Sequence, residues 1–202
     1  MGYRRKDTHY LRARREGYRA RSAYKLIELD RRFGLLHEGD RVVDLGSWPG
    51  GWLQVALERV GTRGRIVGVD VTGIAPFPAP NAIFVCGDVR DPTVVESVRE
   101  QLGRRADVVL SDLAPKLTGV TATDQARITA LAEATIGALP TLLRPGGSLL
   151  MKVFEGPDNV ETLSTLRREF AEVRATRPAA TRHGSAELYA VALGYRRASG
   201  PA

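Results

Sequence analysis

What most limits how this chain can fold is an alternation of short β-branched runs with longer helical stretches that breaks off near the end. Strand-like runs at Arg41–Leu45, Arg65–Val71, Ala82–Cys86, Asp107–Ser111 and Ser148–Phe154 are followed or separated by helical stretches near Gly51–Val60, Thr93–Gln101, Asp124–Leu143 and Val160–Phe170. Such alternation implies an α/β fold with a parallel, doubly wound sheet and helices on both faces. The last two strand-like runs, about Glu172–Thr176 and Glu187–Tyr195, are joined only by a short loop with Pro178 and Gly184. A parallel crossover needs a longer connection, so these two strands must pair as an antiparallel hairpin. Seven strands are expected: five parallel, then a C-terminal antiparallel hairpin. One further helix is expected before the first strand, over 22–33. Ala23, Leu26, Ile27, Leu29 and Phe33 recur there near helical period, with Ser22 as its cap.

A chain of 202 residues suits one such domain with a full core. The expected division is a basic, mobile arm over 1–21, a domain over 22–195 and a frayed tail over 196–202. No apolar run is long enough to span a bilayer, and the N-terminus lacks the apolar stretch of a signal peptide. The one cysteine, Cys86, excludes an internal disulfide, and no Cys/His spacing suits zinc. A cytoplasmic, metal-free monomer is the expectation, since no helix carries an extra apolar face.

Charge is distributed unevenly. The chain carries a net +7, yet residues 1–37 hold eleven Lys/Arg against four Asp/Glu, and the remainder is balanced at nineteen of each. Arg4, Arg5, Lys6, Arg12, Arg14, Arg15 and Arg19 crowd the first twenty positions, with Tyr3, Tyr10 and Tyr18 between them. A neutral body with one basic arm suggests a polyanion held at one place, and the tyrosines offer rings for base stacking. A solvated basic tail is the plain alternative.

In open α/β sheets the ligand lies beyond the carboxyl ends of the strands. The first strand runs into Asp44-Leu45-Gly46-Ser47-Trp48-Pro49-Gly50-Gly51-Trp52. Glycines there let backbone approach a ligand, and the helix start offers free N–H groups. The second strand ends at Asp70, placed to accept ribose hydroxyls. The third ends at Gly87-Asp88, placed to accept an adenine amino group, and the fourth at Ser111-Asp112-Leu113-Ala114-Pro115. Each Asp alone also fits a turn. Together at one sheet edge they suit a cationic nucleoside cofactor, a sulfonium, and would repel a pyrophosphate.

Lys152 lies inside the apolar run Leu149-Leu150-Met151-Lys152-Val153-Phe154. A lysine in a central strand costs free energy unless it is paired or faces a cleft; an outward-snorkelling edge lysine is the alternative. Glu187 opens the final strand. Because that strand is antiparallel, its start falls at the same edge as the ends of the parallel strands, within reach of Lys152 and Asp112.

These residues carry a resemblance. Arg21-Ser22-Ala23-Tyr24-Lys25-Leu26, Val42-Val43-Asp44-Leu45-Gly46 with Pro49-Gly50-Gly51-Trp52, Ser111-Asp112 with Ala114-Pro115, Lys152-Val153-Phe154 and Glu187-Leu188-Tyr189 together resemble the FtsJ-type 2′-O-ribose methyltransferases. The resemblance runs from about residue 8 to 195. It implies the Rossmann-like seven-stranded methyltransferase sheet and a catalytic tetrad of Lys25, Asp112, Lys152 and Glu187. It also implies an S-adenosyl-L-methionine site drawing on Gly46, Gly50, Gly51, Trp52, Asp70, Asp88 and Asp112. The implied substrate is RNA: a ribose, of a uridine, in large-subunit (23S) rRNA within the ribosomal subunit. Two positions depart from the family pattern. Ser47-Trp48 stands where two small residues usually precede the proline, and Lys116 stands where asparagine is commoner.

The implied chemistry makes sense of the residue types. A ribose hydroxyl is a poor nucleophile and loses its proton as the methyl group arrives. A lysine takes that proton only as the neutral amine, a form that a second nearby cation favours and carboxylates oppose. Lys152 as base and Lys152 as anchor for the forming alkoxide both stay open at this level. The rivals are a ribose methyltransferase of tRNA, a non-catalytic RNA-binding assembly protein, and a small-molecule methyltransferase.

Overall fold

A computed structural model describes residues 8–116, 118–182 and 184–196. Seven strands form one sheet: β1 (Arg41–Leu45), β2 (Arg65–Asp70), β3 (Ala82–Cys86), β4 (Ala106–Ser111), β5 (Leu143–Phe154), β6 (Phe170–Thr176) and β7 (Glu187–Tyr195), in the order β3-β2-β1-β4-β5-β7-β6. β1 to β5 run parallel. β7 inserts between β5 and β6, antiparallel to both. This is the architecture expected from the sequence. Strand order reverses between β1 and β4, which opens a crevice at their carboxyl ends.

Helices α1 (Thr8–Arg15), α2 (Ala23–Phe33), α3 (Gly51–Val60), α4 (Pro92–Leu102), α5 (Thr121–Leu142) and α6 (Pro157–Glu169) complete the fold. The side-chain period of two divides the core into two layers. Val42, Leu110, Leu150, Tyr189 and Val191 pack with α2 and α3 on one face. Val43, Val109, Leu149, Met151 and Ala190 pack with α4, α5 and α6 on the other. Among the described residues no helix is long and apolar enough to cross a membrane.

The N-terminal segment differs from the mobile lead-in expected for it. Residues 8–15 form α1, whose Ala13 is buried against Tyr24 and Ala180. The following residues are latched down. Tyr18 donates its hydroxyl to Glu58 Oε2 at 2.9 Å, and Arg19 donates to the Ala75 and Pro76 carbonyls at 2.6 and 2.9 Å. The Arg19 guanidinium also sits 3.8 Å over the Phe77 ring. A short basic helix with one buried alanine leaves no apolar stripe to read in sequence. Ser22 does not cap α2 through its side chain; its carbonyl instead accepts from Trp52 Nε1 at 2.9 Å. The expected contributions of Tyr3, Arg4, Arg5 and Lys6, and of a tail beyond 196, lie outside the described residues, as does the side chain of Tyr10.

At the end of the sheet remote from the crevice, Asp107 ties three connections together. It accepts from the Arg41 N–H at 2.8 Å, from Arg104 Nη2 at 2.7 Å and from Arg144 Nε at 2.6 Å. Burial would raise this carboxyl, but the bonds from Arg104, the Arg41 amide and Arg144 prevail and hold it down at about 2. A carboxyl depressed in the folded state contributes stability above its usual 3.8 that is lost as pH falls toward about 2. Asp107→Asn should therefore lower the unfolding free energy by about 2 kcal/mol at neutral pH. Urea unfolding should show the gap from the unmodified protein closing as pH falls below 3.8; a gap independent of pH would contradict this assignment.

Candidate active site

The crevice is a cleft of about 1270 Å³ along the carboxyl ends of β1 to β4, with Gly46, Trp48, Asp70, Asp88 and Asp112 on its wall. Gly46 has φ +79°, and a Cβ there would stand 3.0 Å from the Leu113 amide nitrogen. The loops after β1 and β4 therefore touch, and only glycine fits. Asp70 Oδ2 accepts from the Trp48 N–H at 3.0 Å and its Oδ1 from the Thr72 N–H at 2.8 Å, so the carboxylate is fixed at the cleft wall. Asp88 is held side-on by Arg90 through Nε and Nη2, an attachment that keeps its carboxyl below the usual range. Sequence reasoning missed Arg90.

Gly50, Gly51 and Trp52 face elsewhere. A Cβ on Gly50 would meet the Phe77 ring at 2.9 Å, and one on Gly51 would meet Ala20 Cβ at 3.0 Å. Trp52 is buried, its ring centroid 5.8 Å from that of Tyr189. Gly50 precedes α3 as its N-cap and Gly51 and Trp52 begin it, where first-turn N–H groups have no partner within the helix. Asp44, inside β1, is fully buried with neither oxygen hydrogen-bonded among the described residues. Burial first, then the nearby Asp112 and Asp70, push its carboxyl well above the usual range.

The four residues expected to form a tetrad are brought together. β5 and β7 pair so that Lys152 stands opposite Tyr189 and Phe154 opposite Glu187. Lys152, Glu187 and Tyr189 thus share the face that α2 covers. Lys152 Nζ donates to the Asp112 carbonyl and to Asp112 Oδ1, both at 2.9 Å, and lies 3.6 Å from Glu187 Oε1. From α2, Lys25 Nζ donates to Glu187 Oε2 at 2.9 Å and to the Tyr189 hydroxyl at 3.4 Å. Tyr189 in turn donates to Asp112 Oδ1 at 2.8 Å. The result is a closed ring of Asp112, Lys152, Glu187, Lys25 and Tyr189. Burial would raise the Glu187 carboxyl, but Lys25 and then Lys152 hold it below its usual value. Burial, with Asp112 next to it, pushes the Tyr189 hydroxyl well above its own.

Tyr189 is the member that the tetrad expectation omits. Its signal is plain in retrospect: it stands two residues after Glu187 in one strand, hence on the same face. Trp48, one of the departures from the family pattern, stands on the cleft wall and is 57% exposed.

The sequence pattern described as FtsJ-like methyltransferase matches residues 18–195. The chain belongs to the FtsJ-like methyltransferase family. A Methanobrevibacter smithii protein named ribosomal RNA large subunit methyltransferase E is 43% identical over 190 residues, covering 94% of this chain and 90% of its own. An Acidiphilium cryptum protein of the same name is 47% identical, covering 94% and 83%. A Plasmodium falciparum structure described as a ribosomal RNA methyltransferase superposes with TM-score 0.77 at 28% identity, over 88% of this chain and 98% of that one. Fibrillarin from Aeropyrum pernix, solved with S-adenosyl-L-methionine, shares the fold alone, with TM-score 0.60 at 22% identity over 85% and 76%. The sheet of this FtsJ-like chain is thus the Rossmann-like methyltransferase sheet.

Tyr189 is fully buried and satisfies a carboxylate and an ammonium at once. Tyr189→Phe should lower the unfolding free energy by about 2 kcal/mol, the scale of losing hydrogen bonds to charged partners. Urea unfolding measures it, and an unchanged midpoint would show that the hydroxyl does not support the ring.

Proposed function

We propose that this FtsJ-like methyltransferase transfers a methyl group from S-adenosyl-L-methionine to a ribose 2′-hydroxyl, of a uridine, in large-subunit rRNA. The observation that carries the reading is the ring of two lysines and two carboxylates whose Asp112 lines a cleft walled by further carboxylates. Relatives named for large-subunit rRNA methylation support the choice of RNA. We place the activity in the cytoplasm, on the ribosomal subunit, with the protein acting as a monomer.

The cleft residues fit this cofactor. Asp70 retains lone pairs for the two hydroxyls of an adenosyl ribose, Asp88 for an adenine amino group, and Asp112 stands toward the reacting centre. Gly46 keeps the wall thin enough for a close approach. Gly50, Gly51 and Trp52 contribute through the backbone N–H groups at the start of α3, where a carboxylate is favoured. The buried, unpartnered Asp44 lies behind this wall. The bound cofactor supplies an electrophilic methyl carbon.

The chain's own groups do the rest. Lys152 Nζ lies among three acceptors, an arrangement that suits an ammonium donor. It is the group that meets the ribose oxygen and stabilises the charge left as the hydroxyl proton passes to solvent water. Asp112 and Glu187 orient that ammonium. Lys25, tied to Glu187 and Tyr189, balances the carboxylates. Holding the hydroxyl oriented toward the cofactor's methyl group would be a further contribution of such a site. Deoxyribose lacks the nucleophile, so DNA should not react. Exposed Arg14 and Arg15 on α1 present charge for phosphates.

The test is methyl transfer from radiolabelled S-adenosylmethionine to undermethylated large ribosomal subunits, free rRNA and bulk tRNA in parallel. Label should enter the ribosomal RNA and fall by at least about 100-fold in Lys152→Ala, which should still bind cofactor. Label confined to tRNA would change the substrate. Cofactor binding with no label anywhere, or near-normal turnover in Lys152→Ala, would contradict the assignment.

A further inference from the structure

The two positions that depart from the family pattern, Trp48 and Lys116, both lie on the wall of the same cleft. They leave adjacent strands. Trp48 follows β1 and Lys116 follows β4, and these strands pair in parallel, with the Asp112 N–H donating to the Leu45 carbonyl at 3.0 Å. The close approach of Gly46 to Leu113 holds the two loops together. Asp112, a member of the charged ring, lines the same cleft.

Neither side chain is used by the fold. Trp48 is 57% exposed, and it bonds Asp70 through its backbone N–H. Lys116 is exposed, and its ammonium has no partner among the described residues. Its carbonyl accepts from Arg127 Nη1 at 3.1 Å, which brings a second exposed cation to the same wall. The cleft, at about 1270 Å³, is larger than the ~1,000 Å³ upper end of ordinary small-molecule sites. It leaves room beside an adenosyl cofactor.

We propose that Trp48, Lys116 and Arg127 form a nucleotide-binding step at the mouth of the cleft, occupied by the RNA nucleotide next to the one methylated. The base stacks on the exposed indole, and its phosphate lies against Lys116 and Arg127. An aromatic face with cations beside it is how proteins hold single-stranded RNA without reading sequence. Exposed cations suit the phosphate of a nucleotide better than the positive sulfonium of the cofactor. The proposal rests on the RNA reading given above.

The probe is a short single-stranded RNA of mixed sequence, titrated into protein saturated with S-adenosylhomocysteine. Trp52, the other tryptophan, is buried and gives a constant background. RNA should quench the emission of the unmodified protein and leave that of Trp48→Phe nearly unchanged. Trp48→Ala should bind RNA about tenfold more weakly, while its S-adenosylhomocysteine affinity by calorimetry stays within about twofold. Lys116→Asn should flatten the slope of log affinity against log salt by about 0.7, the share of one phosphate contact. Loss of S-adenosylhomocysteine affinity in Trp48→Ala with RNA affinity intact would make the indole a cofactor wall and overturn the proposal. RNA binding indifferent to both substitutions would overturn this site and leave the RNA reading standing. Absence of RNA binding in the unmodified protein would overturn both.

Discussion

The rest of the site depends on one closed circuit of charge. Lys152 and Lys25 have side chains only 6% exposed, and each is paired to a carboxylate at 2.9 Å. Removing an ion from water costs several kcal/mol, and that cost is recovered only when geometry and further hydrogen bonds are good. Here no member can leave without stranding a neighbour. Asp112 comes from the end of β4, Lys152 from β5, Glu187 and Tyr189 from β7, and Lys25 from α2. The antiparallel insertion of β7 beside β5 closes the circuit, because it brings the start of one strand to the end of another. In a parallel arrangement Glu187 would lie at the far edge of the sheet.

How much of this is legible in sequence follows from which interactions are local. The strands Arg41–Leu45 and Ala82–Cys86 and the helix Gly51–Val60 have clear hydrophobic period, and the structure places them at those limits. Helix α1 is illegible because, among its described side chains, Ala13 alone is buried, and it packs against Tyr24 and Ala180 from other segments. The charged residues of the tetrad are visible from strand-end position and from resemblance. Tyr189 is harder to see, since a tyrosine in an apolar strand usually reads as core. The glycines after β1 show the limit of motif reading. Gly46 does face the cleft, whereas the side-chain positions of Gly50 and Gly51 face Phe77, Arg19 and Ala20.

That last contact also explains why the basic N-terminal segment is part of the body. Arg19 reaches the loop after β2 through two carbonyls and an aromatic ring, and its own N–H donates to Gln54 Oε1 at 2.6 Å on α3. Arg19 is thereby fixed beside the loop after β2.

The atom that receives the methyl group distinguishes a ribose methyltransferase from a base methyltransferase. A ring of lysines and carboxylates suits a sugar hydroxyl, whose oxygen must be stabilised as it loses a proton. The direct measurement is mass spectrometry of the nucleosides from enzymatically methylated large-subunit rRNA, with fragmentation between base and sugar. The added methyl group should remain on the ribose fragment. A methyl group found on the base fragment would contradict the account.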